Sequence, residues 1–283
     1  VGVVVHARRT LIREAVAELA AGGVASAAYD ADELLAHAAG VPRSRLVVLD
    51  HVDDATAALF RDLVTRRAAR EPLQHLTGVA GFRHVELAVG PGVFVPRPET
   101  ELLAGWAIER ATGQPEPVVV DLCTGSGAIA RAVADEVPAA RVHAVELDES
   151  ALAWAERNLA GTGVDLRHGS MADAFGDLDG AVDVVVCNPP YIPLEAWESV
   201  APEARDHDPH LALFSGADGL DAMRVLEQVA RRLLRPGGVV GAEHADAQGT
   251  QAPEVFARTG HWREVEDHVD LAGRPRFVTA RLR

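Results

Sequence analysis

Apolar residues recur at helical spacing in three stretches near the start of the chain. They are Leu11, Val16 and Leu19 within 7–20, Leu34, Leu35 and Ala38 within 30–39, and Ala58, Leu59, Leu63 and Val64 within 54–69. A recurrence every three or four residues marks one face of a helix, so this part is expected to form a small helical bundle. Asp30 or Asp32 offers a cap for the second helix, and Gly40-Val41-Pro42 ends it. The pattern changes after Glu71-Pro72-Leu73-Gln74-His75-Leu76-Thr77-Gly78, where Phe82, Val85, Leu87 and Val89 suit a short strand pair before Gly90-Pro91-Gly92. Beyond it, strands and helices alternate. Strands are expected at 118–122, 141–146, 165–168, 182–187 and 239–243, with helices from Arg97 to about 112, at 128–137 and 151–159, and through Leu220, Met223, Leu226, Ala230 and Leu233. Segments 262–269 and 276–280 read as a closing antiparallel pair. Seven strands in this order predict an α/β fold, a doubly wound sheet closed by a reversed strand. The expected domains are a helical one at 1–78, a β-hairpin linker at 79–95 and an α/β domain at 96–283.

With 283 residues and 48% hydrophobic side chains, the chain can bury a substantial core. Its formal charge of -15 argues against a protein held mainly by nucleic acid phosphates. The charge is uneven: residues 1–78 carry 9 arginines against 10 acids, and the rest carries 18 against 32. Cys123 and Cys187, the two cysteines, lack metal-binding spacing and read as small apolar residues of a reducing compartment. The apolar opening Val1-Gly2-Val3-Val4-Val5 is too short for a secretory core, and no stretch is long enough to cross a bilayer. A cytoplasmic monomer with no metal and no membrane partner is expected.

The chemistry concentrates at strand ends. Val182-Asp183-Val184-Val185-Val186-Cys187 reads as a buried strand that Asn188-Pro189-Pro190-Tyr191 stops, since proline donates no N–H and restricts its predecessor. An amide, a fixed backbone and an aromatic ring thus meet at a carboxyl end, where open α/β sheets bind ligands. Strand 118–122 runs into Cys123-Thr124-Gly125-Ser126-Gly127 and a helix, and the next strand ends at Glu146. A dinucleotide and S-adenosylmethionine both fit such a turn with a ribose-binding acid. Asp121 beside the turn would repel a pyrophosphate but accept from an ammonium group. Glu203, Arg205, Asp206, His207 and Asp208 read as a solvated acidic loop, and Glu243 as a strand-end acid with a structural hydrogen bond.

These segments, together with Pro96-Arg97-Pro98-Glu99-Thr100-Glu101 and Pro236 to Glu243, resemble the release factor glutamine N5-methyltransferase family. The resemblance implies a seven-stranded, doubly wound Rossmann-like methyltransferase sheet with a small N-terminal helical domain that helps hold the substrate. It implies methyl transfer from S-adenosyl-L-methionine, leaving S-adenosyl-L-homocysteine, to the glutamine of the Gly-Gly-Gln segment of peptide chain release factors in translation termination. Asp121, Cys123, Thr124, Gly125 and Gly127 resemble the cofactor loop and Glu146 the ribose acid. Ser170 stands where many relatives have an acid near adenine. Asn188 and Pro189 resemble the groups that receive the substrate amide, with Tyr191 beside it; Asn188 also borders the cofactor, while Arg97, Glu99 and Pro190 line the substrate side. The alternative, amino-methylation of adenine or guanine in nucleic acid, shares the Asn-Pro-Pro-Tyr acceptors. It would need a basic approach surface that the acidic larger domain does not suggest.

Overall fold

A computed structural model describes residues 5–283; of the short apolar opening, residues 1–4 lie outside the described residues. The described residues pack as two units, those up to 79 with 201–207, and 80–200 with 208–283.

In the first unit the helical stretches form α1 (Arg8–Ala21), α2 (Ala27–Ala39) and α3 (Asp54–Ala68), closing on Leu11, Leu19, Leu34, Leu35, Phe60 and Leu63. β1 (Val5–Ala7) and β2 (His51–Asp53) pair antiparallel beside them. α2 starts ahead of the expected 30 because its first turn carries alanine and tyrosine rather than a periodic apolar signal. Asp30 does not cap it. Asp30 is buried inside α2, where its carboxylate accepts from Ser26 Oγ at 2.7 Å and from Arg67 Nε at 2.7 Å. α4 (Leu73–Thr77) is a single turn after Pro72 that ends at Gly78, whose φ of +78° suits glycine.

The second unit opens with β3 (Val79–Phe82) and β4 (Val85–Ala88), an antiparallel pair, followed by α5 (Thr100–Ala111). Its sheet comprises β5 (Val118–Leu122), β6 (Arg141–Glu146), β7 (Asp165–His168), β8 (Val182–Cys187), β9 (Leu234–Glu243), β10 (Trp262–Val269) and β11 (Pro275–Leu282). Their spatial order is β10-β11-β9-β8-β5-β6-β7; β7 to β9 are parallel, and β11 runs antiparallel to both β9 and β10. Helices α6 (Ala128–Glu136) and α7 (Glu149–Leu159) follow β5 and β6. After β8 the chain passes through α8 (Pro202–His207) and α9 (His210–Leu213) to α10 (Asp221–Leu233), and α11 (Gln251–Ala257) follows β9.

α8 belongs with the helical unit, although its sequence reads as a solvated loop within 96–283. Glu203 explains this: Arg67 donates to it twice at 3.1 Å and Arg70 at 2.7 and 2.6 Å. β9 likewise starts earlier than its valines suggest. The Pro236-Gly237-Gly238 stretch is absorbed as an irregularity in the pairing with β8 between Val182 and Val184.

Strand alternation sets where each side chain goes. Val119, Val184, Val186 and Val239 pack on the face that meets Leu103 and Ala107 of α5. Val118, Val120, Leu122, Val185, Val240 and Ala242 pack on the face that meets Met223, Leu226 and Phe256. Asp121 and Glu243 share parity with the first set, so both turn toward α5 and α6. Gly241 lets α5 lie this close, because a Cβ there would come 2.6 Å from Trp106 Cζ3 and 2.9 Å from Leu103 Cδ1. The Gly241→Ala substitution should therefore lower stability by roughly 1–3 kcal/mol, measured by denaturant unfolding, as overpacking does in a well-filled core.

Candidate active site

The doubly wound order reverses between β5 and β8, and the loops after these strands meet at their shared carboxyl end, the usual ligand crevice of such sheets. After β5 the chain turns through Cys123 at φ +60°, Gly125 at +58° and Gly127 at +84°. A Cβ at Gly125 would meet nothing within 4 Å, so glycine serves its backbone angle, whereas at Gly127 it would press Leu159 at 3.0 Å. Cys123 holds a left-handed angle that few side chains adopt. The backbone around it is fixed by Thr124 N donating to Val145 O at 3.0 Å.

Asp121 is 1% exposed, and its two oxygens differ. Oδ2 accepts from Thr124 Oγ1 at 2.5 Å and from Ala130 N, in the first turn of α6, at 3.1 Å. Oδ1 is buried with no hydrogen-bond partner among the described residues. Burial pushes the carboxyl up to about 7, with Thr124 and Ala130 N opposing the shift. An unanswered acceptor beside a glycine turn suits a ligand that brings a donor, best of all a cation. Glu146, at the end of β6, accepts from Gly125 N at 2.8 Å and from Leu147 N and Asp148 N at 2.9 Å each. Burial raises its pKa and these backbone donors hold it back. Three donors leave about one of its four lone-pair positions for a ligand hydroxyl.

Asn188 leaves β8 toward α5, and its Nδ2 donates to Thr100 Oγ1 at 3.2 Å. Tyr191 donates its hydroxyl to Glu243 Oε1 at 3.1 Å, and burial holds that phenol far above its ordinary value. The backbone behind the ring is pinned: Gln248 Nε2 donates to Tyr191 O at 3.0 Å, and Ile192 N donates to Leu213 O at 2.8 Å. Glu243, 1% exposed, also receives Thr100 Oγ1 at 2.7 Å and is pushed up to about 7 by burial, against the hydroxyl donors and the nearby Arg276 charge.

The other predicted residues are each held by a partner of their own. Arg97 donates to buried Asp208 at 2.7 Å and covers the Phe94 ring at 4.9 Å, and it makes no ion pair with Glu99. Glu99 is instead 3.8 Å from Arg274. Ser170 Oγ accepts from Ala172 N at 3.2 Å and caps a short turn after β7. Cys187 is buried, and Cys123 Sγ lies 3.7 Å from Met171 Sδ. Sequence reasoning passed over Thr100, Arg276 and Gln248. Only the first had a local signal, as a hydroxyl immediately before an apolar helix.

This strand order and this pair of loops define a Rossmann-like methyltransferase. The chain matches the PrmC N-terminal domain over residues 10–78 and the Methyltransferase small domain over residues 99–201. The hMettl16 catalytic domain, solved in complex with the MAT2A 3′UTR hairpin 6, shares the fold at a TM-score of 0.55 and 14% identity, covering 69% of this chain and 75% of that one. The release factor glutamine methyltransferase of Streptomyces coelicolor is 60% identical over 272 residues, 95% of this chain and 96% of its own. A relative from Streptomyces pristinaespiralis, named 4-amino-L-phenylalanine/4-methylamino-L-phenylalanine methyltransferase, is 43% identical over 88% of this chain and 87% of its own. The chain belongs to the release factor glutamine methyltransferase family.

The two buried acids fix the sign of a pH effect. Each binds a proton in the folded chain, between its ordinary value near 4 and about 7, that the unfolded chain has released, so stability falls as pH rises through that window. Each contributes a slope of at most about 1.4 kcal/mol per pH unit. The melting temperature of ligand-free Asp121→Asn should accordingly fall less between about pH 5 and 8 than that of the wild type.

Proposed function

We propose that this enzyme transfers the methyl group of S-adenosylmethionine to the side-chain amide nitrogen, N5, of the glutamine in the Gly-Gly-Gln segment of peptide chain release factors. One observation carries the site reading: Asn188 turns its NH2 to Thr100, which leaves its oxygen to receive a substrate N–H. Likeness to the Streptomyces coelicolor enzyme along nearly the whole chain supports the choice of acceptor.

The residues present suit the cofactor. Asp121 Oδ1, buried and unanswered, would accept the ammonium of its amino acid end, and the remaining lone pair of Glu146 a ribose hydroxyl. Cys123, Thr124, Gly125 and Gly127 supply the turn around that end, and Ser170 lies after β7 on the adenine side. When bound, S-adenosylmethionine supplies a methyl group on a positively charged sulfur.

A carboxamide nitrogen is a weak nucleophile because its lone pair is shared with the carbonyl. Asn188 Oδ1 and the Pro189 carbonyl accept its two hydrogens and direct the nitrogen, and Pro190 fixes that carbonyl. Such prepositioned acceptors need little reorganisation during displacement. Tyr191 walls the site, with its hydroxyl held on Glu243. Arg97 and Glu99 lie on the approach for the substrate backbone. No basic side chain is needed before transfer, because the proton leaves the amide afterwards to water.

Incubation with cofactor and release factor, followed by mass spectrometry, should show one added methyl on the glutamine peptide. Methylation restricted to nucleic acid or to 4-amino-L-phenylalanine would overturn the assignment. The Asn188→Ala variant should lose about 100-fold in kcat with cofactor affinity nearly intact in calorimetry. In the same titration Asp121→Asn should lose roughly tenfold or more in affinity, the reverse emphasis.

A further inference from the structure

Asn188 can serve as an acceptor only if its amide is turned the right way. A carboxamide is nearly symmetric in shape, and rotation by half a turn would present NH2 groups where a substrate N–H arrives. Its orientation therefore has to be set by a neighbour whose own donor is already committed.

We propose that Glu243 and Thr100 form a relay that fixes the rotamer of Asn188, Thr100 by direct contact and Glu243 through Thr100. A threonine hydroxyl has one hydrogen and two lone pairs. Thr100 is 4% exposed, and its hydrogen goes to Glu243 Oε2 at 2.7 Å. What remains on Thr100 Oγ1 can only accept, so the group that meets it at 3.2 Å must be the NH2 of Asn188. The amide oxygen is thereby left to the substrate, and no described residue donates to it.

Glu243 is suited to command this sequence of bonds. Ionised, as it is above about pH 7, it has acceptors alone; it is 1% exposed, and its other oxygen is taken by the Tyr191 hydroxyl at 3.1 Å. The same acid thus holds both side chains that flank the two prolines. Thr100 and Glu243 are positioning residues, 143 positions apart in sequence, at the start of α5 and the end of β9.

The relay rests on the reading of Asn188 as the substrate's acceptor, and two measurements separate the two ideas. In the full-length enzyme, Thr100→Val keeps the shape and removes the hydroxyl. It should lower kcat on release factor by about 10- to 100-fold with KM for cofactor little changed, and lower the melting temperature because Glu243 Oε2 loses its donor. Thr100→Ser should restore most of the rate, a rescue that packing alone would not give. Glu243→Met should lower kcat at least as far, and if it does not fold, the Thr100 pair carries the test. Side-chain amide exchange by NMR reads the relay without any substrate: the Asn188 NH2 should be protected in wild type and Thr100→Ser and lose protection in Thr100→Val. Unchanged turnover, or unchanged protection, in Thr100→Val would overturn the relay. Absence of release factor methylation by the wild-type enzyme would instead overturn the function, while the exchange measurement still decides the relay.

Discussion

Two carboxylates buried at the carboxyl ends of β5 and β9 organise this end of the sheet, and the strand between them, β8, delivers Asn188 into the space they flank. A buried carboxylate is tolerable only where donors converge on it. Asp121 collects Thr124 and the first turn of α6, and Glu243 collects Thr100 and Tyr191. The difference lies in what is left over. Glu243 has a donor on each oxygen and acts within the protein, whereas Asp121 keeps one oxygen with nothing to accept. The desolvation that raises both acids thus has an internal answer at one and calls for an external one at the other.

Much of the fold was legible because its strongest signals are local. Valine-rich runs closed by glycine or proline announce β5 and β8, and the faces of α1, α3 and α10 repeat at helical spacing. Elements without such a repeat were missed or, for β9, expected too short. α11 is seven residues long with proline inside, α8 is rich in charge, and β9 crosses a Pro-Gly-Gly stretch that reads as a turn. The placement of α8 in the helical unit was beyond sequence reasoning for a different reason. It depends on Glu203 meeting Arg67 and Arg70, residues more than 130 positions away, and each alone resembles a surface charge.

The site divides in the same way. Asp121, Gly125, Gly127, Glu146 and Asn188 stand beside strand ends, so their neighbourhood follows from the order of strands. The pairing of Thr100 with Glu243 does not, since it needs α5 to lie against β9, which Gly241 permits. Parity supplies the missing step. Once Val239 and Gly241 are known to face α5, Glu243 must face it too, and Val184 and Val186 send Asn188 the same way.

Rigidity in the Asn-Pro-Pro-Tyr turn comes from two sources that cannot substitute for each other. The Pro189 carbonyl is held by the ring that follows it, by β8 in front and by Gln248 and the Ile192 bridge behind. None of these restrains the χ2 of Asn188, because proline rings and ladder bonds act on the main chain alone. A side-chain acceptor rotates freely unless a partner distinguishes its oxygen from its nitrogen. The hydroxyl that does so here distinguishes them only while its hydrogen is held elsewhere, which places the requirement one residue further back, on a buried acid. A site that relies on an asparagine to accept must therefore carry its supporting charge out of reach of the substrate.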